Sequence, residues 1–108
     1  MVVPEDKLGF SYNNDIKKRI GNEAIYFSDK IIHKTLGLFG GNLQRSILIT
    51  HLSIYRFDGI EIKRRIKIED LKGVTVSKTS NQFILHCNQN EYDVLFIYSN
   101  RKKLLKIL

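Results

Sequence analysis

Apolar and polar residues alternate along most of this chain, and this period of two is typical of β-strands. The alternation is clearest in residues 45–77, where Asp58 and Gly59 form a two-residue hairpin signal. Gly73 is expected to break the chain before a last short strand that carries Val74 and Val76. The stretch therefore predicts a meander of four strands, the first three at Arg45–Thr50, Leu52–Phe57 and Ile60–Ile68.

The third strand of this meander contains a conflict at Arg64. Strict alternation places two sets of residues on opposite faces: Ile60, Ile62, Ile66 and Ile68 on one, and Glu61, Lys63, Arg65 and Lys67 on the other. Arg64 then falls on the isoleucine face. Either a β-bulge or an arginine side chain that extends to the rim would resolve the conflict, and the sequence leaves both open.

Three further strands and two helices complete the pattern. Asn14 is a candidate N-cap for a short helix that ends at Gly21. Ser99 or Asn100 caps an amphipathic C-terminal helix, whose apolar stripe is Leu104, Leu105 and Leu108. The remaining strands are predicted at Ala24–Thr35, Asn81–Cys87 and Glu91–Tyr98.

Seven strands in hairpin order followed by one helix predict a mainly β (α+β) fold. Such strands protect their edges by closing, or nearly closing, into a barrel. We predict a pleckstrin-homology-like architecture, a seven-stranded orthogonal sandwich or partly open barrel capped by the C-terminal helix. Residues 1–23 are expected to form an N-terminal helical extension and residues 24–108 the domain itself, excised from a longer protein.

The charge balance narrows the classes of partner. The 108 residues include 18 Lys and Arg against 11 Asp and Glu, a net charge of +7. This excess favours acidic membranes, inositol phosphates or nucleic acids, although a basic solvated surface explains it equally well. No apolar run approaches the roughly 18 residues of a membrane span, and the N-terminus does not resemble a signal peptide. Membrane contact is therefore expected to be peripheral.

No pattern of catalytic or cofactor-binding residues is present. The spacing of His33, His51 and His86 matches no metal-ligand set, and no phosphate-binding glycine loop or nucleophile elbow occurs. The single cysteine, Cys87, alternates with apolar residues, so we predict a buried structural thiol in a reducing compartment. We expect a protein that is not an enzyme and that holds neither metal nor cofactor.

The basic residues around the first hairpin are the candidate site. Lys30 and Lys34 lie near the end of the first predicted strand and Arg45 begins the second, so a hairpin would bring them to one rim. Arg56 and Lys63 flank the Asp58–Gly59 turn and are predicted to reach the same rim. Converging cations hold phosphate by charge-assisted hydrogen bonds. Alternatively, such charges are solvated residues that prevent sheets from pairing at their edges.

The segment between Lys34 and Arg45 combines three glycines with apolar residues, and it is predicted to be a loop. Its apolar side chains are expected either to insert shallowly into a membrane beside the headgroups or to fold back onto the end of the barrel. These candidate inserting residues are Leu36, Leu38 and Phe39.

Several stretches resemble, in order, the tail homology 1 domain of class-I myosins: Y-F-S-D-K-I-I-H-K, R-S-I-L-I-T, I-K-R-R-I-K-I-E-D-L-K-G-V-T-V-S and N-Q-F-I-L-H-C. The resemblance covers residues from about Ala24 to the C-terminus. It implies a pleckstrin-homology-like domain that attaches a single-headed actin motor to acidic phospholipids, particularly phosphoinositides. The expected location is cytoplasmic, peripheral at the cytoplasmic face of the plasma membrane or of vesicles.

Carried over by position, the family's headgroup site would use Lys34 and Arg45. The family usually has another Lys or Arg two residues before that arginine, where this chain has Leu43. This departure weighs against tight inositide recognition and leaves charge-driven attachment to the membrane. A protein-interaction module of the same fold is the alternative. Nucleic-acid binding ranks last, because Phe and Tyr fall mostly on predicted core faces.

Overall fold

The computed structural model describes residues 5–35, 40–88 and 92–108. Two α-helices lie in this part of the chain, α1 (Asn14–Ile20) and α2 (Arg101–Ile107), with short 3-10 helices at Phe10–Tyr12 and Ile68–Asp70. Eight strands lie among the described residues: β1 (Glu5–Asp6), β2 (Ile25–Lys34), β3 (Asn42–Thr50), β4 (Ser53–Asp58), β5 (Glu61–Lys67), β6 (Leu71–Val76), β7 (Gln82–Cys87) and β8 (Val94–Ile97).

The seven longer strands follow the order β5-β4-β3-β2-β8-β7-β6, and each neighbouring pair is antiparallel. Strand β1 adds in parallel to β2 and is too short for alternation to predict it. The seven predicted strands, the C-terminal helix and the mainly β, sandwich-like fold class are confirmed. Because β5 and β6 are the ends of this order, the sheet is open between them.

The inward-facing side chains of the sheet form the main core. Phe27, Ile47 and Phe83 are fully buried, and Leu104 of α2 is buried among them. Full burial of such side chains contributes about 1.5–3 kcal/mol each. Leu105 packs against the same cluster. Helix α2 therefore closes the core with its apolar stripe, as the sequence predicts.

A second core lies on the outer face of the sheet. Leu48, Tyr55 and Phe57 point away from the main core and pack against Ile16 and Ile20 of α1. The segment predicted as an N-terminal extension thus covers the outer face of β3 and β4. Sequence alternation shows that these strands have two apolar faces, but it does not show which segment covers the outer one.

Helix α1 begins one residue earlier than predicted. Asn13, rather than Asn14, is the N-cap, because its Oδ1 accepts hydrogen bonds from the amides of Asp15 at 3.0 Å and Ile16 at 3.2 Å. The helix ends at Gly21, as predicted, where φ is 68° and favours glycine.

A β-bulge in β5 resolves the conflict at Arg64. Ile62 pairs with Phe57 on the outer face, whereas Arg64 pairs with Arg56, so Lys63 is an extra residue between two consecutive positions of β4. The prediction that Ile62 and Ile66 share a face was therefore wrong. Ile66 belongs to the main core, Ile62 packs against the outer one, and Arg64 faces inward.

Two predicted strand boundaries also differ from the structure. Strand β3 begins at Asn42, so Arg45 is its fourth residue and does not open the strand. Gly73 lies within β6 at a shift in the pairing with β7, and does not precede that strand. In both places the strand begins earlier than predicted, because its backbone pairs with a neighbouring strand ahead of the apolar alternation on which the prediction was based.

Candidate anion-binding site

Three arginines and one histidine lie on the inward face of four consecutive strands. Arg45 of β3 is paired with the core residue Ile31, and paired residues share a face of the sheet. Arg56 of β4 is paired with Ile47 on one side and with Arg64 of β5 on the other. We call the group the inward basic cluster; its members are His33, Arg45, Arg56 and Arg64.

His33 joins this cluster from β2. It follows Ile31 by two residues and is paired with the buried Phe96 of β8, with ring centroids 5.8 Å apart. Its Nε2 lies 3.0 Å from Nη1 of Arg56. Because a guanidinium only donates, Nε2 of His33 accepts, and the imidazole is neutral in this arrangement. Burial, followed by the charges of the three arginines, lowers the pKa of His33 to about 4.

Arg56 is the least compensated member of the cluster. Its Nε is buried and has no hydrogen-bond partner among the described residues. Burial, followed by the charges of Arg64 and Arg45, lowers the pKa of this guanidinium below its ordinary value. An unsatisfied buried donor costs about 1–3 kcal/mol, so a ligand that accepts from Arg56 would recover part of that free energy.

Arg45 and Arg64 have protein acceptors. Nη1 of Arg45 donates a hydrogen bond to the carbonyl oxygen of Gln44 at 2.9 Å. The same nitrogen lies 3.9 Å from Oδ1 of Asp58, whose side chain is half exposed. Arg64 donates from Nη2 to the carbonyl oxygen of Tyr92 and contacts Sγ of Cys87 at 3.4 Å. Arg64 therefore connects the edge strand β5 with the β7–β8 side of the sheet.

The five predicted headgroup residues do not lie together in the structure. Arg45 and Arg56 converge on the inward face. Lys30 and Lys34 alternate with the inward residues of β2 and lie on its outer side, Lys30 exposed and Lys34 partly buried. Lys63 is the bulge residue of β5 and pairs with Glu61 at 3.3 Å. The three apolar loop residues, Leu36, Leu38 and Phe39, lie outside the described residues.

Sequence reasoning did not assign His33 and Arg64 to the site. His33 follows the alternation of Phe27 and Ile31. This position predicts that the imidazole faces inward, but it does not indicate that His33 belongs to an anion-binding site. Arg64 was recognisable only as an exception to alternation. Its inward position depends on the bulge at Lys63.

The family model for the unconventional myosin tail, described as actin- and lipid-binding, matches residues 5–108. The chain belongs to this family. The match confirms the resemblance to the myosin tail homology 1 domain. It also extends upstream to the segment that forms β1 and α1. A search of curated proteins found no match to the chain.

Family membership gives the general class of function. The family is described as actin- and lipid-binding, so this tail domain has lipids and a protein, actin, as its classes of partner. In the part of the chain that the structure describes, no helix is both long and apolar enough to cross a membrane. The same residues contain no group of three metal-ligating side chains.

Proposed function

We propose that this tail domain attaches peripherally to acidic phospholipid membranes, phosphoinositides included, at their cytoplasmic face. The observation that carries the proposal is the inward basic cluster, in which Arg45 and Arg64 lie on the strands beside Arg56 and close enough for their charges to lower its pKa. Arginine guanidinium groups match phosphate oxygens in a bidentate arrangement. The cluster supplies the specific contact in this proposal.

The remaining predicted cations act over a longer range. Lys30, Lys34 and Lys63 are not part of the cluster, yet they contribute to the net charge of +7. Each Lys or Arg near an anionic leaflet contributes about 1 kcal/mol, and salt screens this attraction within a Debye length. Shallow insertion of Leu36, Leu38 and Phe39 remains a prediction from the sequence.

Vesicle co-sedimentation at several salt concentrations tests the proposal. The protein should bind vesicles of phosphatidylcholine with phosphatidylserine, and binding should weaken as salt rises from about 50 to 300 mM because the attraction is screened. It should not bind vesicles of phosphatidylcholine alone. Equal binding to both vesicles, or no binding to either, would contradict the proposal.

Protein binding is the second candidate function. The family description names actin, and β6 is an edge strand whose residues Val74 and Val76 are 40% and 45% exposed. An edge strand offers backbone groups that pair with an extended segment of a partner. Co-sedimentation with actin filaments, compared between the wild type and Val74→Lys, tests this role. Unchanged binding by the variant would exclude the β6 edge as the actin contact.

A further inference from the structure

We propose that the open side of β6 binds an extended protein segment in which acidic residues flank a short apolar stretch. The inference rests on the second candidate function, protein binding at this strand, and adds the chemistry of the partner. We call residues 72–78 the edge segment; their sequence is K-G-V-T-V-S-K. Strand β6 ends the sheet order and has only β7 as a hydrogen-bonded neighbour among the described strands.

Backbone groups of the edge segment point away from the sheet at every second residue. The amide of Ser77 donates to the carbonyl oxygen of Gln82, the first residue of β7, at 3.1 Å. Hydrogen-bonded and non-hydrogen-bonded pairs alternate along an antiparallel ladder, so the amides and carbonyls of Val74 and Val76 face the open side. An extended segment that adds to this side would pair with both valines.

The side chains of the same two valines present an apolar surface. Val74 and Val76 are paired with Leu85 and Phe83, which are fully buried in the main core, yet both valines are exposed. They are exposed because the sheet is open beside β6 and no described strand covers them. An added strand would remove this surface from water, and apolar residues placed opposite the valines gain most from that burial.

A pocket of about 150 Å³ lies on the outer side of the edge segment. Its lining includes one residue from each of three neighbouring strands, Thr75 of β6, Ile84 of β7 and Leu95 of β8, which are in cross-strand register. A cavity of about this volume holds one aromatic ring. The partner is therefore expected to carry a large apolar side chain opposite Thr75.

Lys72 and Lys78 determine the charge of the partner. Both lysines are exposed, and neither has an ion-pair partner among the described residues. The five residues between them include no acidic side chain. Opposite charges on neighbouring strands stabilise a sheet, so acidic residues opposite the two lysines favour binding.

The same lysines disfavour pairing between two copies of this chain. If two edge segments paired antiparallel over their full length, each Lys72 would lie opposite Lys78 of the second copy, and like charges in that position destabilise a sheet. Lys72 is also an extra residue, because Leu71 and Gly73 pair with consecutive residues of β7. Bulges and lysines at an edge oppose indiscriminate strand addition, so the edge segment selects a partner of opposite charge.

Two synthetic peptides test the proposal on the whole chain. In antiparallel register, the end-blocked peptide D-T-V-F-V-T-D places its aspartates opposite Lys72 and Lys78 and its phenylalanine opposite Thr75. The control peptide K-T-V-F-V-T-K keeps the apolar residues and reverses the charge. Calorimetric titration should show saturable binding of the acidic peptide and at least about tenfold weaker binding of the basic one, the effect of two exposed ion pairs. Equal affinities, or no binding of the acidic peptide, would overturn the inference.

Amide hydrogen exchange locates the bound peptide. The acidic peptide should slow exchange at Val74 and Val76 and leave the amide of Thr75, which already faces β7, unchanged. Val74→Pro removes one open amide and keeps the ladder with β7, because proline is tolerated where an edge amide faces solvent. This variant should bind the acidic peptide about fivefold to tenfold more weakly, the effect of about one hydrogen bond. Unchanged affinity would overturn strand addition at β6.

A charge variant keeps the test valid if Val74→Pro does not fold. Lys72→Gln with Lys78→Gln removes both flanking charges, and Lys17→Gln with Lys18→Gln is the matched control on α1. We expect the first pair to lose about tenfold in affinity for the acidic peptide and the control pair less than about threefold. Equal losses would overturn the inference, because binding would then follow net charge.

The outcomes separate this inference from the proposed function. Peptide binding together with unchanged actin binding by Val74→Lys would support an acid-flanked partner other than actin. Reduced actin binding by Val74→Lys without peptide binding would keep β6 as the actin contact and overturn the inferred chemistry. Membrane attachment is measured separately, because Val74→Pro changes no charge and leaves the inward basic cluster intact.

Discussion

Arg56 donates a hydrogen bond from Nη1 to Nε2 of His33 over 3.0 Å, and the bond joins β4 to β2 across the intervening strand β3. Both residues face the interior of the sheet. The bond requires a neutral imidazole, so the folded state resists protonation of His33. Protonation of His33 at low pH would therefore break a hydrogen bond inside the cluster that we propose as the anion site.

The first prediction concerns pH and stability. The pKa of His33 is about 4 in the folded protein against an ordinary 6.5, so below pH 6.5 the unfolded chain binds a proton that the folded protein does not. This difference lowers the free energy of unfolding as pH falls from 6.5 towards 4. Urea unfolding at pH 7.5, 5.5 and 4.5 should show a smaller loss for His33→Gln than for the wild type. Parallel losses in the two proteins would contradict the prediction.

The second prediction concerns Glu23, whose side chain is 9% exposed. Its carboxylate accepts hydrogen bonds from Thr50 Oγ1 at 2.6 Å and from the hydroxyl of Tyr55, and it pairs with Arg65 at 3.2 Å. Burial alone would raise the pKa of Glu23, but the hydrogen bonds from neighbouring hydroxyls outweigh it and hold the pKa below its ordinary value. Glu23→Ala should lower the free energy of unfolding by about 2–3 kcal/mol, because the hydroxyl groups lose their acceptor.

Glu61→Ala is the matched control for Glu23→Ala. Glu61 is also paired with a cation, Lys63, but its side chain is 68% exposed, so its loss should cost less than about 1 kcal/mol. Equal effects of the two substitutions in urea unfolding would contradict the prediction that the buried Glu23 contributes more to stability than the exposed Glu61.

The third prediction uses the two helix caps. Asn13 caps α1 with its side chain, whereas Asn100 precedes α2 without a side-chain cap hydrogen bond. Asn13→Ala should therefore destabilise the protein by about 1 kcal/mol, and Asn100→Ala should change its stability much less. Thermal unfolding of both variants gives the comparison. A larger loss for Asn100→Ala would contradict the assignment.

The fourth prediction concerns the bulge at Lys63. Ile62 and Arg64 pair with Phe57 and Arg56, which are consecutive in β4, so a strand without Lys63 alternates regularly and keeps both side chains on their present faces. We expect deletion of Lys63 to leave the protein folded and to cost less than about 3 kcal/mol. Deletion of Arg65 moves either Arg64 or Ile66 to the opposite face, so it should cost more than about 3 kcal/mol or prevent folding. Urea unfolding of the two deletion variants gives the comparison, and equal losses would contradict the assignment of Lys63 as the extra residue.

The sequence predicts the strands better than it predicts their register. Alternation and turn residues are local properties, so the seven longer strands and α2 could be placed from them. The bulge at Lys63 and the early start of β3 depend on which residues pair across strands, and pairing is not encoded in any single stretch. The faces of Ile62 and Arg64 were therefore not predictable.

For the candidate site, too, the local pattern was predictable from the sequence and the strand register was not. Alternation already separates Lys30 and Lys34 from His33, but the grouping of Arg45 with Arg56 and Arg64 needs the register of three strands. The sequence prediction grouped basic residues because they lie near turns, and it did not consider which face of the sheet each side chain occupies. The basic character of the site was predictable, and its inward orientation was not.

The most direct measurement of the central claim compares two double variants in vesicle co-sedimentation. Arg45→Gln with Arg56→Gln removes two inward charges, and Lys17→Gln with Lys18→Gln removes two exposed charges from α1. Both lower the net charge by the same amount. On vesicles that contain phosphatidic acid, we predict a loss of affinity of at least about tenfold for the inward pair and less than about threefold for the helix pair. Equal losses would contradict the account, because binding would then depend on net charge alone.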